Sequence, residues 1–243
     1  MSIYNELLHR PLVNALVLIY ENLTFYDLGL AIIVLTVIIR IILFPLFHKA
    51  TKHQKIVRGL QPQVKKLQEQ YKNDREAQAK AVMALYREKE VNPFSSMFIM
   101  LIQLPILFAI YGVFKDGFGE KAFVSLYSFV NVPVELNHTL LGLIDLNVVN
   151  WPIAILAALA QYLQIKLSAQ SISGTEDKTA QRMVTQMSFI APGIMLFALS
   201  TLPAAMGLYW LTSTIFSLVQ QVIVNKHLER DVAKQNDKQL KIS

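Results

Sequence analysis

Five long blocks of apolar residues dominate the chain and predict five membrane-spanning helices. A helix of about 20 mostly apolar residues crosses the hydrocarbon core of a bilayer, and somewhat shorter blocks span when their flanks compensate. The third block is short, and the fourth begins with the polar residues Thr185, Gln186 and Ser188. The five blocks are 28–47, 97–114, 151–167, 183–202 and 204–224. The pattern therefore predicts an all-α polytopic membrane protein.

A shorter apolar run, Leu12–Tyr20, precedes the first block and is too short to cross a bilayer. It predicts a helix that lies at the membrane interface or one that packs against the first span. Because Arg10 precedes the run, a signal peptide is the competing interpretation, but Glu21-Asn22-Leu23 lacks the small residues of a cleavage site. We therefore expect a retained helix within an extracytoplasmic segment, residues 1–26.

Residues 49–93, between the first two blocks, carry apolar residues at helical spacing among many basic ones. Asn73-Asp74 is a good turn and N-cap, and Asn92-Pro93 ends a helix because the residue before proline avoids the α conformation. We expect a cytoplasmic hairpin of two antiparallel amphipathic helices, whose first arm is kinked or restarted at Pro62. A solvated linker is the alternative, but the spacing favours the hairpin. The apolar stripe is Ile56, Leu60, Val64, Leu67 and Tyr71.

The 23 Lys and Arg residues are distributed unevenly along the chain. Nineteen of them lie in the segments 49–93, 166–182 and 226–243, which five spans place on the same side of the membrane. The positive-inside rule therefore predicts an N-terminus outside and a cytoplasmic C-terminus with a basic tail, residues 227–243. Topology and contact with anionic lipids explain the net charge of +6 more simply than nucleic acid does, so we expect no DNA partner.

The predicted spans contain no residue that could activate a nucleophile or carry a transported proton. None of the five blocks contains Asp, Glu, His or Cys, and the five histidines of the chain are scattered through flanks and loops. Proton-coupled transport needs a titratable group at membrane depth, and intramembrane hydrolysis needs a base or a metal beside its nucleophile. A chain without cysteine also has no disulfide and no thiol catalysis. We therefore expect neither an enzyme nor a cofactor or metal.

Arg40 is the one charged residue inside the first block, about 10 Å from its cytoplasmic end. Its long side chain could snorkel to the headgroups, and depth alone does not decide between snorkelling and a functional role. Two features favour function. Polar residues lie at compatible depth in other spans, and no span offers a carboxylate, so water or an incoming acidic group must meet the charge. The polar residues are Gln103, Gln161, Gln164, Thr212, Ser213, Thr214 and Ser217.

Four stretches of sequence, in this order, resemble the YidC/Oxa/Alb family of membrane protein insertases, in its short bacterial form. The stretch that resembles the first core span is GLAIIVLTVIIRIILFPL, and the one that resembles the cytoplasmic hairpin is KHQKIVRGLQPQVKKLQEQYKND. The second and last core spans are matched by ALYREKEVNPFSSMFIMLIQLPILFAIYGVF and LPAAMGLYWLTSTIFSLVQQ. The match covers about residues 27–226, which we therefore expect to form the insertase core.

The resemblance implies a five-helix core around a hydrophilic groove that is open to the cytoplasm and to lipid. The family's groove residues correspond by position to Arg40, one of Gln161 and Gln164, and Trp210. Two further residues from the matching motifs complete the candidate substrate-binding groove, Gln103 and Tyr209. The pair Tyr209-Trp210 is either a groove wall or an interfacial anchor.

The chain departs from the family's pattern at two motifs. Many relatives have Gly-Cys where it has Ser95-Ser96, and asparagine near the position of Thr212-Ser213-Thr214. The extended basic tail of ribosome-binding members is not matched, which argues against stable ribosome docking.

The function that the resemblance implies is insertion of nascent membrane proteins into the bacterial plasma (inner) membrane. The groove would receive the polar segment of a client while the client's apolar helix enters lipid. The Sec translocon and the ribosome are then transient partners. A lipid or small anionic solute transporter is the alternative, and an assembly factor that only shelters helices is the third reading.

Overall fold

The computed structural model describes residues 4–114, 123–133, 137–169 and 178–240. Almost all of these residues are helical, which confirms the all-α class predicted from the apolar blocks. A π-helix at Asn5–His9 leads directly into the first α-helix. The α-helices are α1 (Arg10–Asn22), α2 (Leu28–Ile42), α3 (Phe44–Gly59), α4 (Gln61–Gln70), α5 (Arg75–Glu88), α6 (Ser95–Phe114), α7 (Trp151–Ala169), α8 (Lys178–Leu199) and α9 (Ala204–Leu240). Between α6 and α7 lies a two-stranded antiparallel sheet of β1 (Thr139–Leu140) and β2 (Ile144–Asp145).

Helix α9 is central to the bundle and packs against α2, α3, α6 and α7, while α8 packs mainly against α7. The shared apolar core draws residues from α1, α2, α6, α7, α8 and α9. A small residue lets α7 and α9 approach closely, since a Cβ added to Gly207 would lie 2.9 Å from Cγ2 of Ile153. Such small-residue contacts are typical of membrane helices, which associate by close packing because lipid is as apolar as their side chains.

Helix α1 is buried in this core, where Val13 is 0% and Leu16 is 1% exposed. It packs against α2 and α6. Asn14 ties it to the segment after α6, because its side-chain amide donates to the carbonyl of Ser125 at 3.0 Å and its Oδ1 accepts the N–H of Tyr127 at 2.7 Å. The helix therefore packs against the start of the first predicted span, as one of the two expectations has it, and its position at the membrane interface stays a prediction.

The first apolar block is divided into two helices rather than forming one continuous span. Helix α2 ends at Ile42 and α3 begins at Phe44, and their axes differ by 66°. Pro45 explains the break, since its ring has no N–H to donate and clashes with the carbonyl one turn earlier. The end of the predicted span, residues 44–47, therefore belongs to α3.

Helices α4 and α5 pack together in the segment for which the sequence predicts a hairpin. Pro62 stands in the first turn of α4, after a break at Leu60, as expected of a proline that restarts a helix. Asp74 caps α5 by accepting the N–H groups of residues 76 and 77 at 3.0 and 2.9 Å. A second apolar cluster joins the arms and gives this unit its own core, made of Leu60, Val64, Tyr86 and Val91.

Two helix ends differ from the predicted ones. Helix α8 ends at Leu199 instead of residue 202, because the hydroxyls of Ser200 and Thr201 donate back to carbonyls of the last turn at 2.7 and 2.9 Å, just before Pro203. Helix α9 continues to Leu240, so most of the predicted tail extends the last helix. Residues 170–177, within the segment 166–182 that is predicted to lie on the cytoplasmic side, are outside the described residues.

Length and hydropathy single out one segment of the described helices, Ala204–Lys226, as able to cross a bilayer by itself. The bent pair formed by α2 and α3 meets the same criteria when both helices are taken together. Two shorter apolar segments of the described chain are Leu101–Phe114 and Ser188–Leu199. The arrangement of five spans therefore stays a prediction.

Asp27 joins the start of α2 to the turn of the small sheet. Its Oδ1 caps α2 by accepting the N–H of Leu30 at 2.8 Å, and its Oδ2 accepts the N–H of Leu141 at 2.5 Å. Gly29 permits this close approach, because an added Cβ would lie 2.8 Å from the Cα of Leu140 and 2.5 Å from its Cβ. The turn is thus fixed on top of α2, the helix that carries Arg40.

Gly29→Ala is expected to lower the thermal stability of the protein, because the new methyl group collides with the backbone of Leu140. Overpacking of this kind costs about 1–3 kcal/mol. Gly193→Ala in α8 is the matched control, since nothing lies within 4 Å of an added Cβ there. Thermal unfolding in detergent should give a lower Tm for the first variant and an equal or higher Tm for the second. Equal Tm values for both variants would show that the contact with Leu140 is not restrictive.

Candidate functional site

Arg40 of α2 is buried, at 9% exposure, and is held by side chains from two other helices. Its Nε and Nη2 donate to Oγ of Ser213 on α9 at 2.9 and 2.7 Å. The same Nη2 donates to Oε1 of Gln103 on α6 at 3.2 Å. The guanidinium carbon also lies 4.9 Å from the centre of the Phe47 ring, a cation–π contact with α3. Four helices therefore meet around one charge.

All of these partners of Arg40 are uncharged. Hydrogen bonds to neutral oxygens offset part of the cost of burying a guanidinium, but an ionised acceptor binds it roughly twice as strongly. A guanidinium has five N–H donors, and the two on Nη1 have no acceptor among the described residues. The site therefore holds two donors that an incoming anion can use.

Gln103 and Tyr209 extend the contacts of Arg40. The amide nitrogen of Gln103 donates to the hydroxyl of Tyr209 at 2.6 Å, which turns its carbonyl oxygen towards Arg40. Tyr209 and Ser213 are one turn apart on α9 and so share a face of that helix. Together these four residues, Arg40, Gln103, Tyr209 and Ser213, are named the Arg40 cluster.

A narrow cleft runs beside the Arg40 cluster. It contains about 190 Å³ of empty space, divided into gaps too narrow for a water-sized sphere. In this conformation the cleft has no room for a peptide segment beside Arg40. The hydrophilic groove that the family resemblance implies at this place stays a prediction. The cluster shares the walls of the cleft with Thr36, Ile39, Leu43, Phe47 and Ile106.

Three of the predicted groove residues lie away from the Arg40 cluster. Gln161 and Gln164 are half-buried on α7, and neither lines the cleft beside Arg40. Trp210 packs, partly buried, against the apolar core. Neighbouring positions of a helix point about 100° apart, which explains why Tyr209 reaches the cluster and Trp210 does not.

Ser213 is the main partner of Arg40, although the sequence alone marks it only as one of four hydroxyl residues in the last predicted span. The signal that could have identified it is spacing, because residues 209, 213 and 220 fall on one face of a helix. Gln220 extends this buried polar stripe by donating to the carbonyl of Phe44 at 3.1 Å, at the bend between α2 and α3. The stripe therefore supplies hydrogen-bond partners both to the buried Arg40 guanidinium and to a backbone carbonyl at the break between α2 and α3.

The Arg40 cluster donates hydrogen bonds but supplies no general base. Its contacts comprise a hydroxyl, an amide and a phenol, with no carboxylate or imidazole. Among the residues that the structure describes, no three His, Cys, Asp or Glu side chains come close enough to hold a metal ion. The chemistry available here is recognition of an anionic or polar group.

The sequence model of the 60Kd inner membrane protein family matches residues 19–231. Several similar curated proteins carry the name membrane protein insertase YidC. The one from Pelobacter propionicus is 32% identical over 219 residues, which are 89% of this chain and 38% of the relative. The one from Francisella tularensis subsp. novicida is 35% identical over 205 residues, 83% of this chain and 33% of the relative. This chain thus spans well under half the length of either relative.

Ser213→Ala is expected to destabilise the protein more than Ser217→Ala. The first change removes two of the three hydrogen bonds of the buried guanidinium, and loss of a bond to a charged group costs about 1.5–3 kcal/mol. Ser217 is the matched control, since its hydroxyl donates to the carbonyl of Ser213 at 3.0 Å within α9. Tm in detergent measures both effects. Equal decreases for the two variants would contradict a specific role for the Ser213 hydroxyl.

Proposed function

The chain belongs to the 60Kd inner membrane protein family, and on that premise we propose that it is a membrane protein insertase and not an enzyme. The names of its YidC relatives support this function. The observation that carries it is the pair of Nη1 donors on Arg40, which have no acceptor in the described structure although the residue is buried. An acidic or polar segment of a client protein would supply that acceptor.

In the proposed arrangement, five spans cross the bacterial inner membrane. They are α2 with the start of α3, then α6, α7, α8 and the first half of α9. The N-terminus lies outside, while α4, α5 and the end of α9 lie in the cytoplasm with most of the Lys and Arg residues. Arg40 then lies within the membrane, close to its cytoplasmic surface. A client that enters from the cytoplasm would reach this depth early in insertion.

The basic hairpin is the proposed first contact for nascent membrane proteins. Residues 49–93 contain eleven of the 23 Lys and Arg residues of the chain. A concentration of one charge sign accelerates encounters with acidic segments and with the anionic lipids of the inner leaflet. The Sec translocon and the ribosome are proposed as transient partners that would deliver clients to this side.

Arg40 is proposed to exchange its neutral acceptors for a carboxylate of the client. A carboxylate can accept two parallel N–H bonds from one guanidinium, and charge-assisted bonds are the stronger ones. A client Asp or Glu therefore competes favourably with Gln103 and Ser213. The exchange lowers the cost of removing the polar segment from water, a cost that otherwise opposes translocation.

Helix α6 is the element that we propose to move when the cleft opens. It contacts Arg40 through one hydrogen bond of 3.2 Å, whereas α9 contacts it through two shorter ones. Pro105 lies inside α6 close to Gln103 and removes a backbone hydrogen bond there. Opening would admit water and extend the cleft into a groove to which Gln161, Gln164 and Trp210 contribute.

The client's apolar helix supplies the proposed driving force. Its burial in lipid yields about 25 cal/mol per Å² of apolar surface, which exceeds the cost of moving a short polar tail. A membrane potential that is positive outside also draws an acidic tail outwards, by about 2.3 kcal/mol per charge for each 100 mV. No nucleotide is required in this scheme.

A lipid or small anionic solute transporter is the second candidate function, because the same Nη1 donors could bind a carboxylate or phosphate of a small molecule. The two candidates differ in what crosses the membrane. Purified protein in liposomes should insert a single-span client without nucleotide if it is an insertase. Movement of lipids or anions without client insertion would favour the transporter.

Arg40→Ala is expected to reduce insertion of a client with one N-terminal Asp by roughly tenfold, which corresponds to about 1.4 kcal/mol. A client with Asn at that position should be affected much less, because it gains little from the guanidinium. Arg40→Lys is the matched control that keeps the charge. Protease protection of the client tail in liposomes measures insertion. An equal loss of insertion for both clients would show that Arg40 does not recognise the acidic residue of the client.

Single cysteines introduced into this cysteine-free chain are expected to report the proposed orientation. Val124→Cys, at an exposed position after α6, should react with a membrane-impermeant maleimide in intact spheroplasts. Gln68→Cys, at an exposed position of α4, should react only after the membrane is permeabilised. The reverse pattern would contradict the predicted topology.

A further inference from the structure

A cavity of about 580 Å³ opens where α3, the end of α5 and the start of α6 meet, and none of its described lining residues also lines the cleft beside Arg40. Sites for small organic ligands are typically roughly 300–1,000 Å³ and mostly apolar. The apolar walls of this cavity are Leu46, Ala50, Val91, Phe94, Met97 and Leu101. The cavity therefore has the size and the surface of a ligand site.

Charged residues also line this cavity. Lys49 of α3 and Arg87 of α5 are exposed, and neither has a hydrogen bond or ion pair with a described residue. Glu90 is the one acidic residue among the lining residues that the structure describes. The two cations give the lining a net positive charge and leave it able to bind an anion.

His53 adds a neutral donor to the same lining. Its Nδ1 accepts the backbone N–H of Asn92 at 3.4 Å, so the ring proton belongs on Nε2. Burial lowers the pKa of His53, and the neighbouring charges of Lys49 and Lys52 lower it further. The imidazole therefore stays uncharged near neutral pH and adds a hydrogen-bond donor.

The cavity lies across the proposed boundary between lipid and cytoplasm, and this placement rests on the proposed function. Leu46 and Met97 belong to the ends of two predicted spans, whereas Lys49 and Arg87 belong to the cytoplasmic segment. Met97 and Leu101 are each 55% exposed, a large exposed apolar surface beside unpaired cations. The apolar walls thus lie on the lipid side of the cavity and the cations on its cytoplasmic side. A phospholipid of the inner leaflet places its acyl chains and its phosphate in the same order.

We propose that this cavity binds one phospholipid of the cytoplasmic leaflet, with an acyl chain among the apolar walls and the phosphate at Lys49 and Arg87. Burial of the chain and charge-assisted hydrogen bonds to the phosphate both favour the complex. Glu90 favours a headgroup that also carries an amine, since an ammonium group complements its carboxylate. An apolar client segment would cover the same walls but would leave both cations without an anion. The bound lipid would connect α3, α5 and α6 at the base of the hairpin.

Native mass spectrometry of the delipidated full chain, with phosphatidylglycerol or phosphatidylethanolamine added back, tests this site. The double variant Lys49→Gln/Arg87→Gln should bind phospholipid about 10- to 30-fold more weakly than the unaltered chain. The matched control is Lys66→Gln/Lys72→Gln, which removes the same charge from exposed positions of the hairpin outside the cavity. It should bind as the unaltered chain does.

Met97→Trp is the second variant, because it fills part of the cavity without changing the charge. It should also lower lipid occupancy, and circular dichroism checks that both variants are folded. Equal binding of the two lipids would assign recognition to the phosphate. A preference for phosphatidylethanolamine that Glu90→Gln abolishes would show that the headgroup amine is recognised as well as the phosphate. Either result supports the site.

Equal lipid binding by the unaltered chain, the charge variant and Met97→Trp would overturn the proposal. Cross-linking from position 101 to a client helix but not to lipid would overturn it as well and assign the cavity to clients. The insertion assay separates this inference from the proposed function. Loss of lipid binding with normal insertion leaves the insertase intact, and retained lipid binding without insertion contradicts the insertase alone.

Discussion

The structure depends on a buried positive charge that is held by neutral partners. Placing arginine at the centre of a membrane helix costs about 2.5–3.5 kcal/mol, and a carboxylate would be the usual way to offset that cost. Here Ser213 and Gln103 provide three hydrogen bonds, Phe47 provides a ring face, and two N–H donors have no acceptor among the residues that the structure describes. The charge is thus held firmly enough for folding but is not neutralised, which leaves it available to an incoming anion.

The fold brings these partners together through two features of the backbone. Pro45 ends α2 just after Arg40 and directs α3 away at 66°, which brings the Phe47 ring over the guanidinium. The central helix α9 then presents one polar face to both elements. Ser213 meets the charge, and Gln220 meets the carbonyl of Phe44 at the bend. A buried backbone carbonyl at such a break needs a hydrogen-bond partner, and Gln220 provides one for Phe44.

Much of this arrangement follows from the sequence, and the remainder depends on geometry that hydropathy does not encode. Arg40 is conspicuous because it is the one charge in the first apolar block, and Pro62 and Asp74 act at helix ends as their side chains predict. Hydropathy does not predict the bend at Leu43, because residues 44–47 are as apolar as the rest of the block and Pro45 does not interrupt that pattern. Ser213 could not be chosen over its neighbouring hydroxyl residues, because its role depends on the rotation of α9 relative to α2.

Cross-linking from the cleft beside Arg40 tests the central claim most directly. Thr36→Cys is close in size to the native residue and lines this cleft in a chain that has no other cysteine. The client would carry one cysteine next to its N-terminal Asp, and Phe197→Cys, exposed on α8, would serve as the control position. The account predicts a disulfide from position 36 to a client arrested during insertion, and none from position 197. Insertion that proceeds with cross-links from position 197 and none from position 36 would contradict it.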